Sequence, residues 1–223
     1  MLTIPGRTFP VRDFYMEDII QATNFVPKSA KASRNYSKEE QETVQRFFLE
    51  QGISDPNHLS TLGMLSRSDQ VDFELLARTV SLVLDRLGDD KGAILVFVSG
   101  VSAIFRSSSH LMNLQVGEIA QATTAIRTVS ARLDIIPLHA SLPSADQMKA
   151  FGPGRNGRKI IISTPVAETS LTIEDVVVVV DTGKVKETRY DPSTNLSKLE
   201  EVWTSRASGK QRRGRAGRVR EGE

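Results

Sequence analysis

Four short apolar runs constrain this chain more than any other feature. They are AILVFVSG from Ala93, LDIIPLHASLP from Leu133, RKIIISTP from Arg158 and VVVVVDTG from Val176 to Gly183. Each has the length of a strand, and a strand that is apolar on both faces must be covered on both sides. The runs alternate with amphipathic segments. The clearest is DQVDFELLARTVSLVLDRLG, where Val71, Leu75, Leu76, Val80, Val83 and Leu87 recur at helical spacing, with Ser68 as the expected cap. SADQMKAF is expected to open another helix with a capping box from Ser144 to Gln147, and a helical region broken near Leu114 to Gly117 separates the first two strands. The pattern predicts an α/β domain with a mostly parallel sheet between helical layers. The first three strands run out into Ser99-Gly100, Ala140-Ser141 and Ser163-Thr164. That is the edge at which open α/β sheets collect ligands.

The N-terminal third is less regular. LTIPGRTFPVRDFY reads as extended chain with a Pro-Gly turn, Tyr15 to Thr23 as a short helix, and Ser37 to Glu50 as a helix with a Ser37–Glu40 capping box. Otherwise residues 24–67 show little pattern and are expected to be an insertion or a loosely packed excursion. No run of about 18 apolar residues occurs, so no membrane span is expected. The first residues lack the basic and apolar regions of a signal peptide. Cys is absent, which excludes disulfides and thiolate metal sites and fits an intracellular, reducing compartment.

The net charge of +2 conceals an asymmetry. Residues 202–223 hold seven basic and two acidic side chains, which leaves residues 1–201 at −3. A local positive patch attracts phosphate, whether of a nucleotide or of a nucleic acid. Its core is QRRGRAGR, Gln211 to Arg218. If a helix starts near Ala207, Gln211, Arg215 and Arg218 stand at i, i+4 and i+7 on one face, and Arg212 and Arg213 point elsewhere. Gly214 and Gly217 would each cost roughly 1 kcal/mol in a helix, so close approach of another backbone or a ligand is expected there. Two guanidiniums with an amide suit a triphosphate and a water. The same segment alone also fits a solvated basic face or a nuclear-import tail. In ISTPVAETSLTIEDV, Ile162 to Val176, hydroxyls and free amides at a strand end suit phosphate or sugar recognition, and equally a capped turn that binds nothing.

Together the two segments carry a resemblance. STPVAETSLTI followed about 40 residues later by QRRGRAGR resembles motifs V and VI of the DEAH/RHA (DExH-box) RNA helicases of superfamily 2. IPGRTFPV resembles the lead-in to the second RecA-like domain of that family, ILVFVSG its motif IV, and PLHASLPSADQMKAF the motif IVa region. VVDTGKVKETRYDPSTNLSKLEEVWTSRAS is similar to the β-hairpin segment between motifs V and VI. The resemblance covers residues 2–13 and about 70–223. It implies a three-layer RecA-like domain with a hairpin between motifs V and VI. The G-x-x-x-x-G-K-[ST] phosphate loop and the D-E-x-H motif, which the family carries on its first RecA-like domain, are not in this sequence.

The resemblance also implies roles. Arg215 and Arg218 would be arginine fingers on the phosphates of ATP, and Gln211 would order the γ-phosphate and the attacking water. Ser170 and Thr172 match motif V hydroxyls on the γ-phosphate side, and Glu174 stands where the family often has Asp near the nucleotide. Phe151 matches a position that stacks on adenine, though such a residue is equally at home in a core. Mg2+ ligands would lie on the first RecA-like domain. RNA would contact Gly100, Ser141 and Thr164 through amides and hydroxyls, and Lys184 and Lys186 would either guide the strand from the hairpin or be plainly solvated. Motif V reads Thr164-Pro165-Val166 in place of the usual Thr-Asn-Ile, so the contact of that Asn is lost. Arg212, Arg213 and Arg220 are expected to be structural or solvated. The implied partners are RNA, the first RecA-like domain and C-terminal auxiliary domains, in the cytoplasm or nucleus. The chain alone is expected to show no ATPase activity. Two other readings compete: an RNA-binding or interaction module with a decayed motor, hinted at by Pro165, and the same motor acting on DNA.

Overall fold

The computed structural model describes residues 9–27, 38–68, 70–100, 117–130, 132–155, 157–169, 172–192 and 195–223. In chain order the elements are α1 (Met16–Thr23), α2 (Lys38–Glu50), α3 (Pro56–Ser66), α4 (Phe73–Leu87), β1 (Ala93–Phe97), α5 (Gly117–Arg127), β2 (Leu133–Leu138) and α6 (Ser144–Gln147). A 3₁₀ turn at Met148–Phe151 then leads to β3 (Arg158–Ser163), α7 (Val166–Thr169), β4 (Val176–Asp181), β5 (Lys184–Asp191), β6 (Leu196–Trp203) and α8 (Arg206–Arg213).

The four apolar runs form one parallel sheet in the order β2-β3-β1-β4, so the α/β expectation holds strand by strand. Every residue of the central strand β1 is buried. Because side chains alternate across a strand, its residues divide between two cores. Ile94, Val96 and Val98 face Leu76, Val80 and Val83 of α4 and Ile119, Ala122 and Ile126 of α5. Ala93, Leu95 and Phe97 face the opposite way, toward Ala150, Ala167 and Ile173. The first face lies under two helices of 15 and 11 residues, whereas α6, the 3₁₀ turn and α7 on the second face have four residues each.

Two predicted caps move. The cap of α4 is Asp72, whose Oδ1 accepts from the amides of Glu74 (3.0 Å) and Leu75 (2.9 Å). A capping side chain is short and must sit directly before the first helical residue. Ser68 is four residues too early, and its hydroxyl is bonded to Gln70 instead. Before α6 stands Pro143, whose carbonyl accepts from Asp146 and Gln147, so Ser144 lies inside the turn and forms no capping box. Ser37, the proposed cap of α2, and residues 101–116, which hold part of the predicted second helical region, lie outside the described residues.

The N-terminal helices are better packed than their sequence implies. Ile20 of α1, Phe25, Phe48 of α2, Ile53, and Leu62 and Leu65 of α3 form a third core, and Leu75 of α4 joins it to the main domain. Asp55 caps α3 and Pro56 fills its first position, where the missing N–H is not needed. The hairpin appears as expected: β5 and β6 pair antiparallel from Lys184↔Trp203 to Asp191↔Leu196. At the C-terminus the chain returns to β4. The Glu223 amide donates to the Val177 carbonyl (2.9 Å), and the Val179 amide donates to the Glu223 carbonyl (2.8 Å).

Candidate functional site

Three of the residues predicted to meet a nucleotide adjoin the core on the thinly covered face of the sheet. Phe151 follows the buried Ala150, Thr172 and Glu174 flank the buried Ile173, and Glu168 follows the buried Ala167; all three buried residues belong to the core on that face. Thr172 and Glu174 are exposed, and Phe151 sits at the surface with 36% of its area accessible. Ser170 lies outside the described residues.

The arginine segment reaches the same face by a route the sequence did not predict. Helix α8 ends at Arg213, so Gln211, Arg215 and Arg218 do not stack on one helical face. Beyond it the bonds shorten to three-residue turns, with the Arg215 amide on the Arg212 carbonyl (3.0 Å) and that of Ala216 on the Arg213 carbonyl (3.1 Å). Two glycines in four residues weaken a helix, and Gly217 has the expected reason to be glycine. A Cβ there would lie 2.6 Å from the Phe9 carbonyl oxygen, and the Phe9 amide donates to the Gly217 carbonyl (3.1 Å). Gln211 and Arg218 are exposed and Arg215 is half-buried. The Arg215 guanidinium is pushed below its ordinary pKa, first by burial and then by the charge of Arg218, while Glu168 opposes both. Two cations held together in this way form a strong local field for an anion.

The other arginines of the segment are anchors. Arg212 is fully buried. Its Nε donates to Glu168 (3.1 Å), its Nη1 donates to Asp181 (2.8 Å), and the guanidinium lies 5.1 Å from the centre of the Phe97 ring. It therefore ties motif V (Glu168), the end of β4 and motif VI into one unit. Arg213 donates to Asp13 (2.6 Å) and to the Val11 carbonyl (2.7 Å). Arg220 binds both oxygens of Asp90. That bond and the Gly92 amide hold the Asp90 carboxyl down at about 2. The segment thus descends from the C-terminal end of β4 to the loop before β1, with Arg215 and Arg218 between its fixed points.

The predicted nucleic-acid contacts lie elsewhere, at the C-terminal edge of the sheet. Ser141 is exposed there. Thr164 is buried, and its amide donates to the Leu138 carbonyl (3.2 Å). The Gly100 amide donates to the carboxylate of Glu118 (3.2 Å), which also accepts from the Ser99 hydroxyl and pairs with Lys186 (2.6 Å). Both backbone amides are thus already engaged within the chain, and Lys186 belongs to the same cluster. Lys184 is not a hairpin surface residue. It is 3% exposed, donates to the Ser68 carbonyl (3.0 Å) and sits 3.5 Å from the centre of the Trp203 ring. A cation over an indole face is a packing element. Beside this cluster, burial and then the charge of Glu118 push the Glu201 carboxyl up from its ordinary pKa. Pro165 fits its place: its carbonyl accepts from the Glu168 amide (2.9 Å), and the start of a helical turn needs no N–H.

Sequence reasoning missed Glu168, Asp181 and Glu118, because a buried carboxylate is identified by its partner and the partners are 44, 31 and 68 residues distant.

Comparison with known proteins agrees with the geometry. Residues 76–220 match the family model described as helicase conserved C-terminal domain. A Mycosarcoma maydis protein named "Putative DEAH-box ATP-dependent helicase" is 44% identical over 100% of this chain and 14% of its own length. The ATP-dependent DNA/RNA helicase DHX36 of Rattus norvegicus is 35% identical over 100% of this chain and 23% of its own length. The chain therefore spans less than a quarter of either relative. Among solved structures, the E. coli DExH-box NTPase HrpB matches with a TM-score of 0.56 and 32% identity, covering 69% of this chain and 17% of that one.

Proposed function

Because the chain belongs to the helicase conserved C-terminal domain family, as the C-terminal RecA-like domain of a DEAH-type helicase, we propose that it is the second half of an ATP-driven RNA motor. ATP lies against the thinly covered face of the sheet. Arg215 and Arg218 stabilise the charge that builds on the transferring phosphoryl group. Gln211 orients the attacking water, and the hydroxyls of Ser170 and Thr172 sense the γ-phosphate. Phe151 stacks on the base, with Glu174 nearby.

The other half of the site belongs to the first RecA-like domain, with its phosphate loop, D-E-x-H motif and Mg2+ ligands. By the same family resemblance, the Mg2+ that accompanies ATP is assigned to that domain. Residues 1–223 alone are accordingly expected to turn over no ATP. RNA crosses the C-terminal edge through Ser141 and Thr164, with Lys186 as the nearby cation, and C-terminal auxiliary domains complete the track. Among the described residues no helix is long and apolar enough to cross a membrane.

This reading is supported by Phe151, Thr172 and Glu174 adjoining buried residues of the lightly covered face, and by Arg212, in the segment that carries Arg215 and Arg218, binding Glu168 of motif V. In the full-length helicase, Arg218→Ala is expected to lower ATP turnover by about 10³–10⁵ while leaving the fold intact. Near-normal turnover would remove the arginine-finger role. One relative's name includes DNA, which favours a second reading in which the track also accepts DNA. Stimulation of ATPase activity by RNA and by DNA of one sequence separates the two, and stimulation by neither would leave a decayed module.

A further inference from the structure

Lys159 is the second buried cation on the thinly covered face, and nothing above uses it. It occupies β3 two residues before Ile161, so by strand alternation it shares that residue's face. The residue is 3% exposed. Its Nζ donates to the Gly152 carbonyl (2.7 Å) and to both oxygens of Asp175 (3.0 and 3.1 Å). Gly152 directly follows Phe151, and Asp175 directly follows Glu174. The loop also folds over the lysine stem, since a Cβ on Gly154 would lie 3.3 Å from the Lys159 Cβ. At the far side of the loop the Arg155 amide donates to Asp134 (2.7 Å).

An ammonium at this position is costly. Its neighbours Ile160, Ile161 and Ile162 are all fully buried, and withdrawing a charge from water costs several kcal/mol before partners repay it. An apolar residue would fill the strand without that cost but could not join two loops. We propose that Lys159 is a positioning residue for the nucleotide base. It holds the Phe151 loop and the Thr172–Asp175 turn as one rigid unit, which sets the distance between the stacking ring and the motif V hydroxyl. This rests on the reading that Phe151 and Thr172 face ATP. Arg212, the other buried cation on this face, holds Glu168.

The test uses the full-length helicase with saturating RNA, measuring KM for ATP and kcat separately, with a melting curve for each variant. Lys159→Met is expected to raise KM by about tenfold, the loss of a charged hydrogen bond's worth of preorganisation, with kcat changed less than about threefold. Asp175→Asn keeps the shape and removes the charge; it should raise KM by about threefold and decides the matter if Lys159→Met does not fold. In a Phe151→Ala background, Lys159→Met should add less than about twofold, because residues acting through one another are not additive. A normal KM in both folded variants, a fall in kcat alone, or a full additional rise without the Phe151 ring would each overturn the proposal. If Phe151→Ala itself leaves KM unchanged, the base-stacking reading fails, and the positioning role with it.

Discussion

The two faces of the sheet are built by different physics. On one, α4 and α5 lay Leu76, Val80, Val83, Ile119, Ala122 and Ile126 over Ile94, Val96 and Val98 in an apolar core. On the other, single turns cover Leu95 and Phe97, and two buried cations fasten them: Arg212 to Glu168 and Asp181, and Lys159 to Asp175. Apolar packing is non-directional and tolerates small adjustments, whereas an ion pair with hydrogen bonds fixes distance and angle. On the function proposed above, a face that receives a triphosphate needs defined positions and open surface, which single turns on charged anchors provide and long helices do not.

This contrast can be broken at both ends. Arg212→Ala leaves Glu168 and Asp181 without their cation, and breaking a buried pair costs about 3–5 kcal/mol. The expected result is a large fall in the melting temperature of the full-length helicase, together with loss of ATPase activity. An Arg212→Ala protein that melts normally would mean that the second face does not depend on its charges. Ile126→Ala, on the apolar face, is expected to cost about 2–5 kcal/mol by transfer and cavity terms. Here KM for ATP should stay unchanged in the folded fraction, because that side chain belongs to the core on the opposite face of the sheet. A raised KM would show that the two faces are coupled.

The smallest effect concerns the edge cluster around Glu118. Burial and the Glu118 charge raise the folded-state pKa of Glu201, so its ionised form is disfavoured by folding. The penalty is absent below the ordinary value of 4.5 and fully present above the raised one. Glu201→Gln is therefore expected to raise the melting temperature by roughly 1–3 °C at pH 7, with the gain vanishing as pH falls toward the ordinary carboxylate range. A gain that persists there would assign the effect to packing.

The parallel sheet was legible because its signal is local: each strand holds a short apolar run, and the central β1 is apolar and buried throughout. Helix α4 was legible for the same reason, although its cap was misplaced by four residues, since Ser68 and Asp72 are chemically equivalent candidates until the first turn is fixed. The N-terminal helices were half legible. Their apolar residues are spread over Ile20 to Leu65, and the core they form exists only once three helices meet.

By itself, the sequence determined the fold class and the family, because these follow from short-range periodicity and from motifs whose chemistry is carried by their own residues. Tertiary structure alone decided which arginines are anchored. QRRGRAGRVR holds five similar charges in ten residues, yet Arg212 is interior, Arg213 and Arg220 are bound to Asp13 and Asp90, and Arg215 and Arg218 stand beyond the helix end. The reason is that a charge takes its role from its partner and its solvent. For these residues the partners are brought in from up to 202 positions away.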